Sequence, residues 1–174
     1  MVKIAFGHKC RSGKDTSVQC ILSILGDKNC EVVRFASPVY DISEIIQNYL
    51  HIEPRKDPKL LQLIGTGLRS VYNQDIWIDL AVKKIEKTIS NGIDNILVPD
   101  MRFINEAREL KKLGFITVRI DKTDRAIDRD PMHISEIELD NYEYDYMIEN
   151  NGTISELNQK ILKLMEVIVE SSQK

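Results

Sequence analysis

Short apolar runs alternate along the chain with segments whose apolar residues recur every three or four positions. VKIAF (2–6) ends at a glycine and suits a buried strand. From Lys14 the period lengthens: Val18, Ile21, Leu22 and Leu25 share a helical face, and Gly26 stands where a helix ends. EVVRFA (31–36) reads as a second strand, and Ser37-Pro38 as an N-cap with proline at the first helical position. Ile42, Ile45, Ile46 and Tyr49 continue on one face of that helix. HIEPRKDP (51–58) is a loop, and 59–72 is helical at both ends but interrupted by Gly65 and Gly67. Asp75 is placed to cap a helix carrying Trp77, Leu80, Ala81, Lys84, Ile85 and Ile89, closed by Gly92.

NILVPD (95–100) is a buried strand ending on a carboxylate. The helix after it turns Ile104, Ala107 and Leu110 inward and stops at Gly114. FITVRI (115–120) is a fourth strand, 121–144 is polar with little periodicity, and YDYMIEN (144–150) is a fifth strand. Asn151-Gly152 turns the chain into a last helix striped by Leu157, Ile161, Leu164, Met165 and Ile168. Strands alternating with helices, without a hairpin signal, predict a parallel α/β sheet with helical crossovers. Ligands in such sheets bind beyond the carboxyl ends of the strands, which singles out Gly7 onward, Ser37, Asp100, Asp121 and Asn150.

With 174 residues the chain accommodates one well-buried domain. A net charge of −3 gives no broad pull toward nucleic acid or membrane. Three cysteines without a C-x-x-C pair argue against a disulfide framework or a zinc site and fit a reducing, cytoplasmic setting. Met1 leads directly into a strand-like run, so no leader segment is expected, and no apolar run nears the ~18 residues of a membrane span.

The chemistry concentrates in KIAFGHKCRSGKDTS (3–17). A glycine-bearing turn between strand and helix aims backbone N–H groups at phosphate oxygens, and the helix dipole adds to their pull. Gly13-Lys14 closes such a loop, and Lys14 supplies the charge that reaches the β- and γ-phosphates. The common spacing G-x-x-x-x-G-K-[ST] would place glycine at His8 and a hydroxyl at Asp15. Either His8 adopts glycine-like angles or the loop is longer by one and Gly7 takes that role. Asp15, with Thr16 beside it, offers hard oxygen to Mg²⁺. The residues expected around a bound nucleotide are therefore Gly7, His8, Lys9, Cys10, Arg11, Ser12, Gly13, Lys14, Asp15 and Thr16.

SGKDT closing this loop resembles the deoxynucleoside monophosphate kinases of phages and large DNA viruses. So do LLQLIGTGLRSVYNQDIWIDL (60–80), with its G-T block and tryptophan, and ILVPDMRFINEARELKKLGFITVRI (96–120), with its D-x-R strand end and N-E helix. HISEIELDNYEYDYMIENNGTISEL (133–157) matches that family's H-x-S-E and N-x-G-[ST] blocks. Animal-type phosphomevalonate kinases share the GKD loop, the D-x-R strand end, an acidic LDN-like stretch and an E-N-x-G turn. The G-T block with its tryptophan favours the nucleotide enzyme. His8 and the short region 37–60 depart from the family pattern.

The resemblance implies a three-layer α/β/α P-loop kinase domain with a five-stranded parallel sheet. It would span 1–174, with an acceptor-binding insert at about 37–78 and a lid-like segment at about 121–144. It implies ATP and Mg²⁺ as cofactors and a nucleoside monophosphate as partner, and leaves the oligomeric state open, a homodimer included. Asp100, ending a buried strand, is placed to hold Mg²⁺ with Asp15 and Thr16, or to cap the following helix. Arg102 can fork onto the acceptor phosphate or pair with Glu106. Arg69 is a second acceptor-phosphate candidate, and Arg125 and Arg129 are lid arginines for the transferring group. Ser37, Trp77, His133 and Glu136 are candidate substrate contacts, Trp77 being equally suited to a core position. Asn150 and Gly152 would pack near the donor adenine. The rivals are a phosphomevalonate or dephospho-coenzyme A kinase, and a switch protein that binds ATP without an acceptor.

Overall fold

The computed structural model describes residues 1–124, 126 and 132–171. Five strands, β1 (Lys3–Gly7), β2 (Cys30–Val32), β3 (Asn95–Met101), β4 (Ile116–Asp121) and β5 (Tyr146–Glu149), form one parallel sheet in the order β2-β3-β1-β4-β5. The helices are α1 (Lys14–Leu25), α2 (Ser37–Tyr49), α3 (Pro58–Val71), α4 (Ile76–Ser90), α5 (Ile104–Lys112), α6 (Ile134–Ile137) and α7 (Ile154–Ser171).

Period-two alternation in β1 divides the core. Ile4 and Phe6 face α1 and α7, where Val18, Ile21, Leu157 and Ile161 are buried with them. Ala5 faces the opposite layer, where Ile78, Ala81 and Ile85 of α4 and Ala107 and Leu110 of α5 pack with Ile96 and Val98. Each large aliphatic side chain so buried contributes about 1.5–3 kcal/mol. A smaller cluster of Val39, Ile64 and Trp77 joins α2, α3 and α4. Between β1 and its neighbours β3 and β4 the order of crossovers reverses, so the loop after β1 emerges at the sheet's switch point.

Several local expectations are corrected. The second strand is only Cys30–Val32, because residues 33–36 leave the sheet to form a turn before α2. Ser37 lies inside α2; Ala36 occupies the cap position and makes no side-chain cap bond. Gly65 and Gly67 do not interrupt α3, which runs unbroken from Pro58 to Val71. Packing against α2 and α4 outweighs the roughly 1 kcal/mol each glycine costs a helix. Its start is fixed by Asp57, whose side chain accepts the N–H groups of Lys59 and Leu60.

Asp75 makes no cap bond to α4, and its carboxylate accepts the Asn105 amide instead. Ile45, Tyr49, Leu80 and Ile104 point outward, since the inward faces of their helices are taken by Val39, Ser43 and Gln47, by Trp77, Ile78 and Ala81, and by Ala107 and Leu110.

Candidate active site

The turn after β1 wraps around the Lys14 side chain. His8 and Arg11 have φ of 82° and 58°, and Gly13 has φ of 110°. Gly7 ends β1, so His8 itself holds the left-handed position that glycine usually fills. Its imidazole occupies the space this opens: Nε2 lies 3.0 Å from an Asp140 oxygen, and Nδ1 lies 2.8 Å from Asp121. Lys9 adds an ammonium 3.0 Å from Asp140. Gly7 is required for closeness, because a Cβ there would stand 2.6 Å from the Tyr144 hydroxyl.

Lys14 is 6% exposed and donates to the His8 and Lys9 carbonyls and to Ser12 Oγ. Burial, with the Arg102 charge adding, brings its ammonium down to about 8. A buried cation ringed by neutral acceptors is a position that an anion would stabilise. The loop is braced from the far side by Asn150, whose buried amide donates to the Ser12 carbonyl at 2.8 Å. Thr153 and Glu156 form a reciprocal capping box at the start of α7 just beyond it.

A cavity of ≈ 670 Å³ opens in front of the loop. Arg11, Gly13, Lys14, Asp15, Thr16, Asn150 and Gly152 line it, and so do Arg69, Trp77, Asp100, Arg102 and His133. Ser37 is not among its lining residues; Phe35 and Ala36, the two residues just before it, are. Trp77 is both core and wall: it is buried, lines the cavity, and donates its indole N–H to the Gly65 carbonyl at 2.9 Å.

Asp15 is 76% exposed at the side chain and pairs with Arg34 at 2.8 Å. Asp100 does not cap α5, whose cap position is Phe103. Its two carboxylate oxygens accept the N–H groups of Phe35 and Ala36, fixing the turn that follows β2. Burial pushes the Asp100 carboxyl up, with those N–H donors and the nearby Arg102 and Arg34 opposing. No group of three or more His, Cys, Asp or Glu side chains suited to a metal gathers among the described residues. Mg²⁺ in phosphoryl-transfer sites takes one or two carboxylates and completes its shell with phosphate and water, so Asp15 and Asp100 are chemically adequate.

Two arginines of the cavity are each paired with a buried glutamate. Arg102 Nη1 donates to Glu136, which is 3% exposed and also accepts the Cys10 N–H at 3.0 Å. A carboxylate of α6 thus sits on a backbone N–H of the loop. Arg69 Nη2 donates to Glu106 at 2.6 Å, and its guanidinium lies 4.1 Å over the Phe103 ring. His133 accepts the Ser135 N–H at the head of α6. Arg125 and Arg129 lie outside the described residues.

Sequence reasoning did not single out Arg34, Phe103, Glu106 or Asp140 as site residues. Glu106 had a usable signal, since Glu at the third position of a helix reaches back to cap its start; it accepts the Arg102 and Phe103 N–H groups. Asp140 had none, because its partners lie more than 130 positions away.

Residues 42–161 match the family model described as deoxynucleotide monophosphate kinase. The deoxynucleotide monophosphate kinase of Enterobacteria phage T4 is 25% identical over 147 residues, 83% of this chain and 58% of that protein. The enzyme of the same name from Escherichia phage RB69 is 25% identical over 62% of this chain and 43% of its own length. A protein of Acanthamoeba polyphaga mimivirus, provisionally given that name, is 32% identical over 62% of this chain and 60% of its own. The chain thus spans about half the length of these relatives.

Among solved structures, a dephospho-CoA kinase from Campylobacter jejuni superposes with a TM-score of 0.51 at 15% identity, covering 97% of this chain and 98% of that one. A sugar kinase from Janibacter sp. gives 0.51 at 12% identity, covering 95% of each chain. These two likenesses concern the fold alone, a three-layer α/β P-loop kinase fold.

Proposed function

This chain belongs to the deoxynucleotide monophosphate kinase family, and on that premise we propose that it transfers the γ-phosphoryl group of ATP to a deoxynucleoside monophosphate. The observation that carries this reading is one cavity lined both by a phosphate-type loop and by two glutamate-held arginines. A site for one anion would not need both groups.

The donor triphosphate lies along residues 8–15, where Lys14 exchanges carbonyl acceptors for phosphate oxygens and regains the charge stabilisation that burial removes. The acceptor phosphate takes N–H donors of Arg69 and Arg102. An acceptor oxygen attacks the γ-phosphorus, the bond to the β-bridging oxygen breaks, and ADP leaves with that electron pair. The acceptor is already ionised, its second pKa lying near about 6, so no general base is needed. Mg²⁺, held by Asp15, Thr16 and Asp100, would offset charge on the phosphates.

Trp77 and the α2–α3 wall, within 37–78, frame the acceptor. α6, within 121–144, packs on the loop through Glu136; the proposed lid arginines, Arg125 and Arg129, lie outside the described residues. Gly152 and the Asn150 turn flank the donor. The partner is a small molecule, with neither nucleic acid nor membrane required; no helix among the described residues is long and apolar enough to cross a membrane. A cytoplasmic setting fits this reading.

The test is ADP release across ribo- and deoxynucleoside monophosphates, with mevalonate phosphate and dephospho-coenzyme A in the same panel. A deoxynucleoside monophosphate should give the highest kcat/KM. Faster turnover of mevalonate phosphate or dephospho-coenzyme A would refute the reading. Slow hydrolysis indifferent to every acceptor would identify a switch instead.

A further inference from the structure

Arg69 lines the cavity near the C-terminal end of α3, two residues past Gly67. A long guanidinium side chain in such a position ordinarily samples many rotamers, and ordering it costs entropy at the moment of binding. Here three contacts fix it, two from the start of α5 and one from the turn after α3. Glu106 Oε1 accepts Nη2 at 2.6 Å, the Gln74 carbonyl accepts Nη1 at 3.3 Å, and the Phe103 ring supports the guanidinium face at 4.1 Å.

Glu106 is itself immobile. It is 1% exposed, and its second oxygen accepts the backbone N–H groups of Arg102 at 2.7 Å and Phe103 at 3.1 Å. One buried carboxylate therefore ties the Arg69 guanidinium to the backbone that carries Arg102. The two arginines belong to different elements, α3 and the β3–α5 turn, and would otherwise have no common reference.

We infer that Glu106 is a positioning residue that sets Arg69 and Arg102 at a fixed separation, so that together they grip the terminal phosphate of the acceptor. The inference rests on the kinase reading for the identity of that phosphate. Glu106 is among the residues lining the cavity, but both of its oxygens are taken by protein donors; it acts by holding one guanidinium through a 2.6 Å hydrogen bond and the other arginine through its main chain. Its effect falls on acceptor binding.

The experiment is a double-mutant cycle of Glu106→Gln and Arg69→Ala. It is read by equilibrium titration with each deoxynucleoside monophosphate and with inorganic phosphate, and by the KM of each substrate. Glutamine keeps an oxygen for the two backbone N–H groups but loses the charge that holds Arg69. Acceptor Kd and KM should rise on the order of tenfold, the ratio expected when a charge-assisted hydrogen bond is lost. The KM for ATP should stay within about twofold, and Glu106→Gln should add nothing in the Arg69→Ala background.

Unchanged acceptor binding in Glu106→Gln, a parallel rise in both KM values, or additive effects in the double mutant would each overturn the inference while leaving the kinase reading intact. A wild-type protein that binds a monophosphate without phosphorylating it would overturn the kinase reading, and the Glu106→Gln to wild-type ratio of binding would still decide the inference. A wild-type protein that binds no monophosphate overturns both.

Discussion

Gly13→Ala tests how the loop is held. The residue has φ of 110°, where a side chain is strained, and a Cβ built there would stand 2.4 Å from Asn150 Nδ2 and 3.3 Å from a Leu157 methyl. The strain costs roughly 1–2 kcal/mol. The Asn150 amide can swing away, but only by giving up its 2.8 Å bond to the Ser12 carbonyl in a buried setting, a further loss of about 1 kcal/mol. The sum is roughly 2–3 kcal/mol, which in a chain of this size lowers Tm by on the order of 5–10 °C.

Gly92→Ala is the control. Gly92 has φ of 81° but nothing within 4 Å of the added carbon, so it should show the strain alone. Thermal and urea melts of both variants measure the difference. Gly13→Ala should be the more damaging by about 1 kcal/mol and should also weaken ATP binding, whereas Gly92→Ala should leave ATP binding unchanged. If Gly13→Ala is no more destabilising than Gly92→Ala, Asn150 does not brace the loop.

Lys14→Ala should abolish turnover while a cooperative melt persists; loss of that melt would make Lys14 a structural residue. Because burial brings the Lys14 ammonium down to about 8 in the free protein, and bound phosphates favour its charged form, nucleotide binding should take up a proton at alkaline pH. The Kd for ATP should therefore be flat below pH 8 and rise above it, approaching tenfold per pH unit, in titrations from pH 7 to 10; a flat profile to pH 10 would place the ammonium outside the phosphate site. Asp57→Ala should cost about 1 kcal/mol in a urea melt through the lost cap of α3, with ATP affinity unaffected.

The sheet was readable because each strand is either a continuous apolar run or ends at a glycine or carboxylate, and each crossover helix carries a 3.6-residue stripe. Five strands and their parallel pairing follow from that pattern alone. Several errors lie in residues 33–72, where α2 and α3 pack on one another and on Trp77, and others fall at Asp75, Leu80, Asp100 and Ile104. Within 33–72 the apolar stripe is split between a small cluster and a cavity wall, so spacing misassigned Ile45 and Tyr49, and two glycines hid a continuous helix.

The loop was legible as a local motif, down to the choice posed by His8, but not the reason histidine is accommodated. That reason is the pair Asp121 and Asp140, brought in by β4 and by the turn after α6. Likewise Arg69, Arg102, Glu106 and Glu136 were visible as charges, but not their pairing: the Arg102 guanidinium goes to Glu136 and not to Glu106, which takes Arg69 instead, a choice made by tertiary packing.

The most direct measurement follows the γ-phosphorus. The protein is incubated with ATP labelled at that position, Mg²⁺ and a deoxynucleoside monophosphate, and the products are separated. The label should appear in the deoxynucleoside diphosphate, in amounts equal to the ADP formed. Label found only in inorganic phosphate, whatever monophosphate is supplied, would contradict transfer to a second phosphate in the cavity.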